Sequence, residues 1–182
     1  EAPVLADDAL ALLDEAYSTY TQKYDVEVET PVRVQMFDNH DDFMVRSVGL
    51  PGSVGHLGIC FGRLVTMDSP SARSKWTANW RSVLWHEFVH VITLQKTNNR
   101  LPRWLSEGIS VYEETQRDSA WGQRLAVDYK AIVEHEDLPG LAELEACFTS
   151  PKSANHLMFG YLMAGEFVAF YVDEYGFAPL RE

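Results

Sequence analysis

The spacing of hydrophobic residues changes from helical to alternating along the first 70 residues. Apolar residues first recur every three or four positions, which is the period of a helix with one buried face. Further on they alternate with polar residues or form a short apolar run, as in strands. The predicted elements are, in order, a helix over 5–24, a strand over 31–37, a short helix capped by Asn39, a glycine-rich loop over 49–58 and a strand over 59–67.

The remainder of the chain is predicted to be mainly helical. Residues 83–92 carry no charge apart from Glu87 and are apolar on all sides, which indicates a buried helix. Pro102 favours a helix start and Gly176 a helix end. The predicted elements are a helix over about 77–97, a helix from Pro102 to about 115, a helix over about 119–136, a loop with a short turn over 138–151 and a helix over about 153–175.

Length and composition indicate one compact domain over residues 1–182. The chain has 46% hydrophobic residues, enough to bury a full core, and it contains no repeat, low-complexity tract or interdomain linker. The order of elements predicts the α+β class, with a small N-terminal sheet followed by a helical C-terminal part. Because the chain begins at Glu1 rather than at Met, we expect a processed chain or a domain excised from a longer one.

The charge of the chain argues against two classes of partner. The net charge of −12 and the pI of about 4.8 disfavour binding to nucleic acid or to an anionic membrane surface. No apolar run approaches the ~20 residues of a transmembrane helix. The two cysteines, Cys60 and Cys147, can form one disulfide or remain separate buried thiols, and the sequence leaves both possibilities open.

The sequence His86-Glu87-Phe88-Val89-His90 lies in the apolar helix and carries the most specific chemistry of the chain. Histidines four positions apart project from one face of a helix, so both imidazoles can reach one metal ion. Glu87 stands beside that face, where a general base can take a proton from an attacking water. The alternative is a core helix whose two histidines are hydrogen-bonded to their neighbours, since buried polar groups need partners or a metal.

Glu107 is the candidate for a third metal ligand. Zinc takes about four ligands, and two histidines with one carboxylate leave one position open, as in catalytic sites. A helix that begins near Pro102 places Glu107 in its second turn, although the residue could also be a surface carboxylate. Glu114 lies seven residues further along the same face. It is either a carboxylate that hydrogen-bonds a zinc-binding histidine or a solvated charge beside Glu113.

These motifs resemble the gluzincin branch of the clan MA metallopeptidases. Sixteen residues separate His90 from Glu107, whereas the similar aminopeptidase N family has eighteen. The shorter spacing and the small size are more similar to compact bacterial peptidase MA-like domains, in which a tyrosine and a glycine-bounded aromatic helix follow the site. Residues 159–176 match that helix, and the resemblance covers roughly residues 55–176.

The resemblance implies a single zincin-like metallopeptidase domain with one zinc ion per chain. It implies that His86, His90 and Glu107 bind the zinc and that Glu87 is the general base. In such a fold an edge strand of the N-terminal sheet lies over the active-site helix. Zinc-dependent hydrolysis of peptide bonds is therefore the expected activity, with a peptide or protein as the substrate.

Two further roles follow from the resemblance. Tyr161 matches the tyrosine that donates a hydrogen bond to the oxyanion, a role that suits a neutral phenol. Tyr161 could instead be a core aromatic, and His156 is a competing donor or a hydrogen-bonded surface histidine. The substrate would pair with the second predicted strand, which assigns Gly62, Leu64 and Thr66 to substrate binding. An interior strand is the alternative for that segment.

One departure from the aminopeptidase N pattern bears on specificity. Those enzymes anchor the free amine of the substrate with a glutamate in an upstream motif, to which Met67-Asp68 is a faint match. An endopeptidase is therefore preferred over an aminopeptidase. Two other classes stay open, a catalytically silent or latent zincin-like domain that binds proteins and a helical domain without metal. The oligomeric state is open, and a bacterial periplasmic or extracellular location is preferred.

Overall fold

The computed structural model describes residues 2–50, 56–72, 79–121 and 140–182, with side chains from residue 5 onwards. Helices and a small sheet are both present, so the predicted α+β class is confirmed. The chain divides into two compact units, Glu1–Arg100 and Leu101–Glu182. The first unit contains α1 (Ala2–Tyr24), β1 (Arg33–Phe37), α2 (His40–Val48), β2 (Gly58–Cys60), β3 (Leu64–Asp68) and α3 (Trp80–Lys96). The second unit contains α4 (Arg103–Arg117), a 3-10 turn (Leu141–Glu143), α5 (Leu144–Thr149), α6 (Ala154–Tyr175) and α7 (Ala178–Arg181).

The sheet of the first unit has the strand order β1-β3-β2. β1 runs parallel to the central strand β3, with Arg33 opposite Leu64, and β2 runs antiparallel to it, with Gly58 opposite Met67. The alternation predicted over 31–37 is confirmed in β1, where exposed and half-buried positions follow each other. Among the described residues, β2 is an outer strand that pairs on one side only.

The single strand predicted over 59–67 is wrong, because a turn divides this apolar run into β2 and β3. Gly62 lies in the turn with a φ of 72°, in the left-handed region that favours glycine. The Phe61 N–H donates to the Leu64 carbonyl oxygen at 2.7 Å and closes the turn. Leu64 and Thr66 consequently lie in the central strand, between β1 and β2. Of the two strands formed by this run, β2 is the outer one.

The helices of the first unit pack on each other and on the sheet. Tyr20 of α1 and Trp85 of α3 meet edge to face, with ring centroids 5.3 Å apart. The predicted Asn39 cap is confirmed, since its side chain accepts a hydrogen bond from the Asp42 N–H at 3.1 Å. The cap starts α2 directly after β1. Phe43 of α2 is buried and packs with Phe37 of β1 and Ile59 of β2.

Glycines allow the helices of the second unit to approach each other closely. A Cβ added to Gly108 of α4 would lie 2.5 Å from the carbonyl oxygen of Ala164 in α6. A Cβ added to Gly165 would lie 2.7 Å from the Val111 side chain. Both distances are shorter than real side chains allow, so α4 and α6 pack nearly backbone to backbone. This contact fixes the helix that carries Glu107, the neighbour of Gly108.

The other predictions for the second unit have mixed outcomes. The helix predicted over about 153–175 is confirmed as α6, which Ser153 caps and Gly176 ends. The loop predicted over 138–151 is partly wrong, because the 3-10 turn and α5 lie within it and are too short to show a helical period. The helix predicted over about 119–136 falls almost entirely outside the described residues. Across the described ranges, none of the helices has the length and apolarity of a membrane span.

Candidate metal centre

α3 carries the paired histidines on a helix that is buried for most of its length. It begins after Asn79, whose side chain accepts a hydrogen bond from the Arg81 N–H at 3.1 Å. Every residue from 84 to 93 is buried. The buried helix predicted from the apolar composition is therefore confirmed, and the three ionisable side chains of its buried segment, those of His86, Glu87 and His90, are enclosed with it.

The two imidazoles of α3 converge on one point. His86 Nε2 and His90 Nε2 lie 3.1 Å apart, and the rings meet edge to face. Two nitrogens bound to one tetrahedral zinc ion at ~2.0 Å lie about 3.3 Å apart. The observed spacing is thus close to that of two ligands of one ion, as expected for histidines four residues apart on a helix.

His86, His90 and Glu107 form a group of three buried residues that could hold a metal ion. Their ligand atoms all lie within 4.8 Å of one another. Two imidazole nitrogens and one carboxylate oxygen are donor types that zinc prefers. The donor types and their close spacing therefore fit a zinc ion.

Glu107 lies in the second turn of α4, as the position of Pro102 predicted. Its side chain is only 7% exposed, and the Arg103 Nε lies 3.4 Å from Glu107 Oε1. The alternative of a surface carboxylate is therefore wrong. Arg103 is half exposed and lies one turn before Glu107, so it contributes a positive charge beside the carboxylate.

Glu145 caps the start of α4, a role that the sequence did not reveal. Its carboxylate accepts hydrogen bonds from the N–H groups of Arg103, at 3.3 Å, and Trp104, at 3.1 Å. The next two N–H groups of the helix donate to the Pro102 carbonyl oxygen. The N–H groups of the first four helical residues, Arg103 to Ser106, thus all have acceptors. A carboxylate at this end also interacts favourably with the helix dipole.

Removing this cap should destabilise the second unit. We expect Glu145→Ala to lower the free energy of unfolding by about 0.5–2 kcal/mol, the usual cost of losing a helix cap. Glu145→Gln should cost less, because the amide oxygen can still accept a hydrogen bond. Denaturant unfolding followed by circular dichroism measures both, beside Glu174→Ala at an exposed position of α6 as a control. Equal stability of Glu145→Ala and the wild type would show that the cap contributes nothing.

Two adjacent carboxylates, Glu113 and Glu114, are fully enclosed in α4. Each is 2% exposed, so the alternative of a solvated charge at Glu114 is wrong. Burial and the charge of Glu113 together raise the pKa of the neighbouring Tyr112. A hydrogen bond from a zinc-binding histidine to Glu114 stays a prediction.

Tyr161 lies on α6, half-buried, with its ring 5.0 Å from the Phe148 ring in an edge-to-face contact. It packs against the core cluster of α5 and α6. The ring therefore has a packing role, and the predicted role of its hydroxyl as an oxyanion donor is a separate question that stays a prediction. Aromatic packing of this kind orients the phenol and limits its motion.

Both ring nitrogens of His156 are engaged within the second unit. The backbone N–H of Lys152 donates to Nδ1 at 3.1 Å, so Nδ1 carries no proton. Nε2 lies 3.4 Å from Cys147 Sγ, and in a neutral ring it is the nitrogen that carries the proton. His156 is thus a hydrogen-bonded histidine that is half-buried rather than at the surface, and its contacts disfavour the role of a competing oxyanion donor.

β2 lies directly against Glu87. A Cβ added to Gly58 would lie 2.7 Å from Glu87 Cγ and Oε1. Burial raises the pKa of the Cys60 thiol to about 12, with a further contribution from the charge of Glu87. Cys60 and Cys147 are both free thiols, which answers the question that the sequence left open. β2, an outer strand among the described residues, therefore runs beside Glu87.

The residues assigned to substrate binding are placed differently from the prediction. Gly62 lies in the turn, Leu64 is half-buried in the central strand, and Thr66 is buried, with its hydroxyl accepting from Ser47 Oγ at 2.9 Å. Leu64 and Thr66 therefore do not lie in an edge strand, since β3 has a neighbouring strand on both sides. Contact of these residues with a substrate stays a prediction.

Asp68, the faint match to the amine-anchoring glutamate, has a partner in the first unit. His40 Nδ1 lies 2.9 Å from Asp68 Oδ2 and 3.1 Å from Oδ1, and both side chains are largely buried. His40 had no assigned role in the sequence, because its partner lies on a different element. The pair joins the start of α2 to the end of β3.

Comparison with protein families decides the wider class. The Peptidase MA superfamily model matches residues 13–181, nearly the whole chain. The chain belongs to the Peptidase MA superfamily. Neither the curated proteins nor the solved structures gave a match. Membership confirms the family resemblance that the H-E-x-x-H motif and Glu107 indicated. The buried group of His86, His90 and Glu107 thus lies in a Peptidase MA domain, a class of typically zinc-dependent proteins.

Proposed function

We propose that this Peptidase MA domain is a zinc-dependent peptidase that hydrolyses peptide bonds within peptide or protein substrates. His86, His90 and Glu107 would hold one zinc ion. The observation that carries the proposal is the buried group of these three residues, with donor atoms within 4.8 Å of one another. The match to the Peptidase MA superfamily supports it independently.

The chemistry follows from the donor set and from Glu87. A bound zinc ion would polarise the scissile carbonyl and lower the pKa of the attacking water towards ~7. Glu87 takes the proton from the water during attack and delivers it to the leaving amine. It is buried beside His86 and against β2, so its carboxylate is held in place and shielded from bulk solvent. A positioned acid–base group of this kind contributes about 10²–10⁴-fold.

Endopeptidase action is preferred because Asp68, the faint match to the amine-anchoring glutamate of aminopeptidase N, is already paired with His40. Asp68 accepts a hydrogen bond from His40 with its carboxylate and is 7% exposed. A carboxylate that is buried and already paired is poorly suited to bind the free ammonium group of a substrate. We therefore expect cleavage within peptides rather than removal of the N-terminal residue.

Tyr161 is proposed as the donor to the oxyanion, and its hydroxyl can be tested without loss of packing. Tyr161→Phe keeps the ring against Phe148. We expect kcat to fall about 10²–10³-fold, the usual cost of losing one oxyanion donor, while KM and stability change little. Steady-state kinetics on a cleaved peptide measures this, with Tyr171→Phe on the same helix as the matched control. An unchanged kcat would leave Tyr161 as a core aromatic only.

A peptide-cleavage assay tests the proposal as a whole. The zinc-loaded protein is incubated with an internally quenched peptide library, beside the same protein after chelation and dialysis. Cleavage that chelation abolishes and zinc restores supports the peptidase. Cleavage that persists without metal, or no cleavage by a protein that retains zinc, contradicts it.

A further inference from the structure

Gly58 occupies the one place in β2 where a side chain would collide with Glu87. A Cβ at this position would lie 2.7 Å from Cγ, 2.7 Å from Oε1 and 2.9 Å from Cδ of Glu87. Ordinary contact begins at 3.4 Å, so one of the two groups would have to move by about 0.7 Å, the difference between 3.4 and 2.7 Å. The three close atoms all belong to the Glu87 side chain rather than to the backbone.

The need for glycine at this position comes from space rather than from backbone conformation. The glycines with positive φ among the described residues are Gly49, Gly62 and Gly176, and Gly58 is not one of them. Any residue could adopt the strand conformation of Gly58, which pairs with Met67 in a regular antiparallel register. Position 58 therefore requires glycine because β2 approaches Glu87 so closely that a Cβ has no room.

The alternation of side chains along β2 shows which face of the sheet holds Gly58. Gly58 and Cys60 are two residues apart and face the same side of the sheet, whereas Ile59 faces the other side. Ile59 packs against the cluster of Phe37, Phe43 and Met44, away from α3. The face that holds Gly58 is thus the one turned towards α3 and Glu87.

We propose that Gly58 is a positioning residue for the Glu87 carboxylate. Because Gly58 has no side chain, the backbone of β2 can approach the Glu87 carboxylate closely without displacing that carboxylate from its place beside His86. A methyl group at position 58 would displace the carboxylate, since Glu87 has rotatable bonds and β2 is held in the sheet by β3. This inference rests on the proposed function, in which that carboxylate is the general base.

Gly58→Ala tests the inference in the zinc-loaded protein. A misplacement of about 1 Å in a catalytic group can cost ~10²-fold, so we expect kcat to fall roughly 10–100-fold, with KM and zinc content unchanged. Gly140→Ala is the matched control, because a Cβ at Gly140 has no atom within 4 Å and its φ is −68°. The control should keep the wild-type kcat.

Glu87→Ala separates displacement of the base from general damage to the fold. It removes Cγ, Cδ and Oε1, the three atoms that a Cβ at position 58 would meet. Gly58→Ala should therefore reduce the residual kcat much less in the Glu87→Ala background than it reduces kcat in the wild type. Equal fold-losses in both backgrounds would overturn the proposal, as would a wild-type kcat in Gly58→Ala alone.

A crystal structure of Gly58→Ala gives a result that does not depend on activity. We expect β2 to stay in register and the Glu87 carboxylate to shift by at least about 0.7 Å from its wild-type position, as the contact distances require. An unmoved carboxylate with a displaced β2 would overturn the inference. If the wild type cleaves no peptide, the proposed function fails, and the crystal structure alone decides whether Gly58 positions Glu87.

Discussion

Glu87→Gln should abolish peptide cleavage while the protein keeps its zinc. The amide has nearly the same shape as the carboxylate but cannot take a proton from the attacking water. We expect kcat/KM to fall by about 10²–10⁴-fold or more, the range for removal of a positioned acid–base group. Initial rates on a fluorogenic peptide and zinc content by inductively coupled plasma mass spectrometry measure the two properties on the same sample.

The matched control for this change is Glu166→Gln, at an exposed position of α6. It makes the same chemical substitution away from the candidate site and should retain wild-type cleavage. If Glu87→Gln cleaves as fast as the wild type, Glu87 is not the base. If it instead loses its zinc, the carboxylate has a structural or ligand role that the proposal does not give it.

Glu107→Ala should have the largest effect on metal binding. It removes one of three proposed protein ligands, so we expect a loss of zinc affinity greater than the ~10–100-fold typical of a partner that only orients a ligand. Competition with a chromogenic chelator measures the dissociation constant. Glu166→Ala is the control and should bind zinc as the wild type does.

Thermal unfolding gives a second test of Glu107 as a ligand. A ligand that binds only the native state stabilises it, by about 2.7 kcal/mol when its concentration is 100 times its Kd. Chelation should therefore lower the Tm of the wild type and leave that of Glu107→Ala nearly unchanged. A wild-type affinity in Glu107→Ala, with the same chelator-dependent Tm shift, would exclude Glu107 from the ligand set.

Features that depend on neighbouring residues could be predicted from the sequence. The helix of His86 and His90 follows from an apolar segment, and the Asn39 cap follows from local hydrogen-bonding chemistry. The close spacing of the two histidine nitrogens follows from the pitch of a helix. These features hold because helix geometry relates residues that are three or four positions apart.

Features that depend on distant residues could not be predicted in the same way. Glu145 caps α4 from 41 residues away, and no local pattern indicates that partner. Gly58 and Glu87 meet because a strand packs on a helix, which a single glycine in the sequence does not reveal. The turn at Gly62 is a local feature that stayed undetected for another reason, since apolar residues on both sides of it hide the break in the period.

The proposed activity of this chain is cleavage of peptide bonds with the help of one zinc ion. The most direct test is mass-spectrometric analysis of a mixed peptide library after incubation with zinc-loaded wild type, chelated wild type and Glu87→Gln. We expect cuts within peptides that only the zinc-loaded wild type makes. An intact library after incubation with a chain that holds one zinc ion would contradict the claim and favour a latent domain that binds proteins.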